Sequence, residues 1–306
     1  MIIVFVVFLL SSCIDSEKVE GQSYSQISGY LEIKMCFFLR HKKYNGNGGV
    51  IFLDKKADLM VIECTFFNCI AKWGGAIYFI GDNSALSKVC ANRCLSDCYH
   101  FAEFDSYKKC KIDLLSYTQC SNNTNFLCAI MLNQGNQHFH GVNSSYNKAS
   151  IMSCLLSQGS SNLSCGFCNF FQNVDSQGRM MSFESGTNIR NIYLCNLVQN
   201  KPESNQGLIF IYSQYVFSDC IFMYNSFTLF KVLYGTLLVK NSHVVHQSTF
   251  NSGSIVTENI HYSKTDLYPL EFYGTNKCQT PFFNKNTNRM TEYQFPLFIL
   301  FSILIK

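Results

Sequence analysis

Residues 64–79 read Cys64-Thr-Phe-Phe-Asn-Cys-Ile-Ala-Lys-Trp-Gly-Gly-Ala-Ile-Tyr-Phe79: a short aromatic run opened by cysteine, a turn-forming Asn, and a Gly-Gly pair leading into a second apolar run. The first half recurs as Cys168-Asn-Phe-Phe-Gln-Asn173, Cys195-Asn-Leu-Val-Gln-Asn200 and Cys220-Ile-Phe-Met-Tyr-Asn225, and more loosely as Cys36-Phe-Phe-Leu-Arg-His41. The second half recurs as Gly49-Val-Ile-Phe, Gly75-Ala-Ile-Tyr-Phe, Gly178-Arg-Met-Met and Gly207-Leu-Ile-Phe-Ile, each 10 to 13 residues after one of those cysteines. A fixed order of two motifs marks a structural repeat.

The period is 28 residues from Cys36 to Cys64, 27 from Cys168 to Cys195 and 25 from Cys195 to Cys220. Cys94 to Cys120 spans 26, and Asn143 lies 25 before Cys168, so the middle of the chain keeps the period while losing the motif. A unit of this size, made of short β-branched and aromatic runs divided by Gly, Asn and Ser, cannot bury its own apolar face and must stack on its neighbours. No run shows the 3.6-residue periodicity of a helical repeat, and the leucine-rich pattern is absent. The expected fold is all-β: a right-handed parallel β-helix of about eight coils, with a period near 26 residues and coils about 4.8 Å apart.

In such a solenoid Phe66, Phe170, Leu197 and Phe222 stack as an interior ladder. The sixth motif residue, Asn173, Asn200 or Asn225, is expected to take a left-handed turn and bond its neighbour in the next coil. Gly48-Gly49 and Gly74-Gly75 make tight corners. Equivalent cysteines one coil apart fall within disulfide range, so Cys168–Cys195, Cys195–Cys220 and a ladder of buried thiols are all open. Cys165-Gly-Phe-Cys168 stands alone and Cys90, Cys94 and Cys98 recur every four residues; neither has the paired spacing of a zinc site, so no metal and no cofactor is expected.

The chain has 306 residues, 47% hydrophobic and 14% charged, which excludes disorder as its main state. A net charge of +4 from scattered basic residues offers no stripe for nucleic acid. Ile2 to Leu10 is apolar and runs into Ser11-Ser12-Cys13, as in a secretory signal cleaved after Cys13, a site that also fits a bacterial lipoprotein box. The organisation expected is a signal at 1–13, an N-terminal cap at 14–28, the β-helix at 29–260, a C-terminal cap or juxtamembrane segment at 261–294 and an apolar tail at 295–306. Phe295 to Ile305 is too short to span a bilayer; a truncated span, a removed lipid-anchor tail and a segment packed on the core remain open, with a membrane-directed role favoured because the run has no polar face. Sixteen cysteines with a signal point to an oxidising compartment. Asn122, Asn143 and Asn162 each open an Asn-x-Ser/Thr glycosylation acceptor.

The Gly74-Gly-Ala-Ile77 and Phe-x-x-Asn elements resemble the GGAI and FxxN repeats of polymorphic outer-membrane-protein-like adhesins. The Cys-, Asn- and Tyr-rich context, including Asn143-Ser-Ser-Tyr-Asn147, is similar to the large right-handed β-helix surface proteins of trichomonad parasites. The resemblance covers about residues 30 to 250. It implies secretion or surface display and adhesion to a host or neighbouring-cell protein or glycan, and it carries over no catalytic residue.

β-Helices also carry polysaccharide lyases and glycoside hydrolases, which need carboxylates converging across the groove. Asp54 with Asp82, and Asp175 with Glu203, share an offset and are the pairs that could stack, with Lys55 and Lys56 beside the first; both fall in turns where solvated acids are the rule. His138-Phe-His140 places two imidazoles on one strand face without an evident third ligand, and His243-Val-Val-His246 lacks the glutamate of a zinc protease helix. Trp73 reads as a corner-packing residue. Tyr193, Tyr212, Tyr215, Tyr224 and Asn225 are the expected row of a distributed binding face.

Overall fold

In Ala57–Ile62 the residues alternate, Ala57, Leu59 and Val61 buried and Asp58, Met60 and Ile62 half-exposed, which is the two-residue period of a strand with one face in the core. This strand pairs in parallel with Gly29–Lys34 on one side and with residues 83–87 on the other. The same pairing repeats along the chain, so each segment lies on its equivalent one period away. The computed structural model describes residues 24–25, 29–54, 56–120, 128–177, 179–184, 190–203, 207–225, 228–245, 249–251 and 254–270. Among these there is no helix, and every strand pairing is parallel. The signal segment, the apolar tail, Asn122, Gly178 and His246 lie outside the described residues.

The result is a parallel β-solenoid. Each full coil carries three runs of strand, and long strands such as Ile77–Asn92 and Tyr99–Thr118 pass through all three without a break. The register sets Cys36, Cys64, Val89, Leu115, Val142, Cys168, Cys195, Cys220 and Ser242 in one column, nine rungs enclosing about eight turns. The expected equivalence of the five cysteines holds. The middle coils lose the motif because Val89, Leu115 and Val142, all buried, fill the same interior volume without a thiol.

The strand that follows this column is three residues long and is bracketed by left-handed residues. Those after it are Arg40, Asn68, Arg93, Gln119, Tyr146, Gln172, Gln199 and Tyr224, with φ between 48 and 58°. The left-handed turn therefore falls on the fifth motif residue, not on the sixth as expected. A non-glycine residue pays about 1–2 kcal/mol for this conformation, and it is held because its amide still pairs with the next coil, as Gln172 N donates to Val198 O at 3.1 Å.

The sixth residue has a different task. Asn147, Asn173, Asn200 and Asn225 are buried and form a continuous ladder. The Oδ1 of Asn200 accepts from both the amide and the Nδ2 of Asn173, at 3.0 and 3.1 Å. Its own Nδ2 donates to Phe170 O at 2.8 Å and to Asn225 Oδ1 at 3.1 Å. Asn173 makes the same set one coil earlier, with Asn147 above it and Ser144 O beside it. Buried amides are tolerated only when satisfied in this way. On the N-terminal side the column is continued by Cys69, Cys94 and Cys120, and it passes from thiol to amide where Cys120 N donates to Asn147 Oδ1 at 2.8 Å.

The glycine corners stack as expected near the N-terminus. A Cβ on Gly49 would lie 2.3 Å from Gly75 O, and one on Gly75 would lie 2.1 Å from His100 O. Gly207 also sits at this corner, but the pairing of Met181 with Ile209 places Arg179, not Gly178, opposite it. At the ends, Tyr24–Ser25 already pairs with residues 51–52, so the solenoid begins inside the segment expected to be a cap. After the last strand, Ser254–Glu258, the chain folds back; Tyr268 exchanges two backbone–side-chain hydrogen bonds with Asn196, at 3.1 and 3.2 Å.

The ladder makes a direct prediction. Replacing Asn200 by Ala leaves the Asn173 amide and side chain without their acceptor and is expected to destabilise the chain by about 3 kcal/mol. Asn200→Asp keeps the acceptor but turns a second oxygen toward Phe170 O and Asn225 Oδ1 in the core, and is expected to cost at least as much at neutral pH. Denaturant midpoints at constant m-value measure both; equal midpoints for wild type and Asn200→Ala would show that the ladder contributes nothing.

Candidate functional site

On the outside of the left-handed corners runs a groove of about 570 Å³ lined by Tyr146, Lys148, Gln172, Val174, Gln199, Lys201 and Tyr224. Its floor and one wall follow from the repeat. The fifth motif residues Tyr146, Gln172, Gln199 and Tyr224 turn outward on successive coils, and directly after the ladder Asn the short strands Lys148–Ala149, Val174–Asp175 and Lys201–Pro202 pair beside them. Tyr146 and Tyr224, three coil steps and about 14 Å apart, are among the exposed large side chains. Tyr146 is braced edge-on against Phe171, ring centroids 5.5 Å apart. Gln172 Nε2 donates to Gln199 Oε1 at 2.6 Å, so the two amides form one polar step between the aromatic ends. Lys148 and Lys201 are exposed along the side, and among the described residues that line the groove there is no carboxylate or imidazole.

The tyrosine row expected from sequence is not the one the coil builds. Tyr215 is buried in the interior, its hydroxyl accepting from Arg190 Nη1 at 2.7 Å, and Asn225 belongs to the buried ladder. Tyr212 packs against Tyr234 and Tyr193 against Phe167 elsewhere on the surface. Only Tyr224 lies in the groove. The signal for the true row was present in the repeat, since Tyr146, Gln172, Gln199 and Tyr224 each directly precede a ladder Asn, and Lys148, Val174 and Lys201 each directly follow one.

The acidic pairs do not stack either. Asp54 follows Leu53, which pairs with Phe79, so its equivalent is Ile80; Asp82 is bound to Lys108 at 2.8 Å. Asp175 pairs with Pro202 rather than Glu203, and its carboxylate accepts from the amides of Ser153, Gln177 and Arg179, organising a turn. A different pair is formed by Glu103 and Asp105, two apart on the outward side of Tyr99–Thr118. Glu103 lies between Tyr78 and Met131 of the adjoining coils, beside an external apolar cluster of Tyr99, Cys128, Met131, Met152 and Leu156 with Trp73 packed edge-on to Tyr99. Burial, and secondarily Asp105, push the Glu103 carboxyl up to about 8. Its Oε2 is sealed from solvent without a hydrogen-bond partner.

His138 and His140 do share a face, their rings parallel within 5°. The structure adds what the sequence did not show: Asp113 of the preceding coil faces both, 3.9 Å from each imidazole. Lys111 already holds that carboxylate at 2.5 Å, which makes this a surface ion cluster. His243 stacks on His261, ring centroids 5.0 Å apart. Asn162 is exposed, its Nδ2 donating to Asn136 Oδ1 at 3.0 Å, whereas Asn143 is fully buried and bonded to Ser145 and Asn169, so its amide cannot carry a glycan in the packed coil.

Of the open readings of the cysteine column, the structure takes the thiol ladder. Cys168, Cys195 and Cys220 are free, and each Sγ donates to the carbonyl two residues earlier, at 3.1, 3.2 and 3.3 Å. Cys90 is disulfide-bonded.

Glu103 gives this surface a pH signature. Between pH 4.5 and about 8 the folded chain keeps a proton that the unfolded chain has released, so stability falls as pH rises through this window. His100, lowered by burial to about 4, has the opposite effect, costing stability as pH falls from 6.5. Glu103→Gln is expected to remove the loss on the alkaline side and leave the acid side unchanged, as read from unfolding midpoints between pH 4 and 9. An unaltered alkaline slope would assign that loss to another group.

Comparison of the chain with family models, with curated proteins and with solved structures returned no match, so the role of the groove rests on its residues.

Proposed function

We propose that this chain is a non-enzymatic binding solenoid, secreted or displayed at a cell surface, that holds an extended glycan along the groove from Tyr146 to Tyr224. The observation that carries this reading is the sequence of groups along one line: a tyrosine face, two coupled amides, a second tyrosine face, and two lysines beside them. Aromatic faces stack on the apolar faces of sugar rings, amides bond their hydroxyls, and lysines favour carboxylated or sulfated units. A coil repeat of about 4.8 Å matches roughly one sugar ring per coil, so weak contacts add along the chain of the ligand. The groove volume lies within the range of small-ligand sites, about 300–1,000 Å³. The absence of acid or imidazole from the lining residues favours retention over cleavage. The apolar amino-terminal run, the exposed acceptor at Asn162 and the resemblance to β-helix adhesins support an extracellular setting.

Binding of neutral and acidic polysaccharides to the immobilised full chain tests this. Tyr146→Ala and Tyr224→Ala are each expected to weaken binding about five-fold, and their effects should multiply because the sites are well separated. Lys148→Gln with Lys201→Gln is expected to lower affinity for acidic polymers and flatten its salt dependence, leaving neutral polymers unaffected. Unchanged affinity in all three variants would remove the groove from consideration. Polysaccharide turnover that disappears in Glu103→Gln would replace this reading with that of a polysaccharide-active enzyme.

A further inference from the structure

We propose that Cys165, Cys168 and Cys195 form a buried three-sulfur site for a single soft cation, with copper(I) as the ion that fits it. The three Sγ atoms all lie within 4.8 Å of one another, and Cys165 and Cys168 are 3.7 Å apart. A metal–sulfur distance of about 2.3 Å puts the sulfurs of a trigonal set about 4.0 Å apart, so closing this triangle on an ion takes sub-ångström movements.

The triangle is a product of two columns. Within one column sulfurs recur every coil, and the first and third of any run are about 9.6 Å apart, too far to share an ion. That is the arrangement of Cys69, Cys94 and Cys120, and of Cys168, Cys195 and Cys220. Cys165 comes from the strand before the corner, Asn162–Gly166, in a column otherwise filled by residues such as Val61, Ile112, Phe139, Ile192 and Val239. Its sulfur enters the gap between the first two rungs of the Cys168 column and closes the third side.

Packing does not require these thiols. Val142 occupies the Cys168 position one coil earlier, Val89 occupies it further up, and Val61 and Val239 occupy that of Cys165. All three cysteines are at most 1% exposed. At that burial the three sulfurs are shut off from bulk solvent, and Cys220 lies one coil beyond the triangle. Zinc in structural sites takes four ligands, whereas thiolates are the soft donors that select copper(I), an ion stable with three. Each sulfur that ligates releases its proton to solvent, so retention should strengthen with pH.

The closed core means that the ion enters as the coils form. The full chain is therefore unfolded and refolded anaerobically with reductant and one to three equivalents of a copper(I)–acetonitrile salt, then desalted. The expected result is one copper per chain, three sulfur neighbours by X-ray absorption, and a raised thermal midpoint. Cys165→Val and Cys168→Val, chosen because valine already fills these columns, are expected to fold with unchanged circular dichroism and to lose at least ten-fold in copper retention. Cys220→Val and Cys94→Val are expected to keep it. Equal retention by wild type and Cys168→Val, or loss in Cys94→Val as great as in Cys168→Val, would overturn the site. Zinc retained in place of copper(I) under the same conditions would overturn the three-coordinate assignment.

Discussion

Parallel register between successive coils is the constraint on which everything else in this molecule depends. Each residue lies over its equivalent about 26 positions away, so a side chain's neighbours along the axis are chosen by the repeat. Any residue type that recurs becomes a row, and any that fails to recur interrupts one. The backbone bonds that set the register also hold the left-handed corners: Gln172, Gln199 and Tyr224 keep φ near 50° because their coil partners compensate the local cost.

What a row can do depends on whether its members satisfy one another. The Asn147–Asn225 ladder is self-satisfying, because a carboxamide offers one acceptor for the coil on one side and donors for the coil on the other. A thiol column is nearly neutral in the core, since sulfur packs as a small hydrophobe and its weak hydrogen bond to a carbonyl is cheap to lose. A carboxylate in the same geometry is a different matter. Glu103, flanked by Tyr78 and Met131 rather than by a basic residue, stays protonated well above the ordinary carboxylate range. Rows of different chemistry meet at two places on this scaffold: tyrosine and glutamine beside lysine on the outside, and one stray cysteine beside a cysteine column within.

The sequence by itself determined the solenoid. The Cys-to-Asn and Gly motifs, their constant order and their period leave no other way to bury the aromatic runs, and the equivalence of Cys36, Cys64, Cys168, Cys195 and Cys220 follows from spacing alone. The tertiary structure decided which faces the rows present. Along the column from Cys36 to Ser242 the spacing varies from 22 to 28 residues per rung, and a one-residue change moves a side chain from core to surface. For that reason Asp54 misses Asp82, Asp175 misses Glu203, and Tyr215 lies inside with Arg190 while Tyr146 and Tyr224 face the groove. The convergence of Cys165 on Cys168 and Cys195 was equally illegible, because it joins residues of different strands across a corner whose angle is set by packing between coils, and the burial of Glu103 because it depends on the register that sets Tyr78 and Met131 on either side of it.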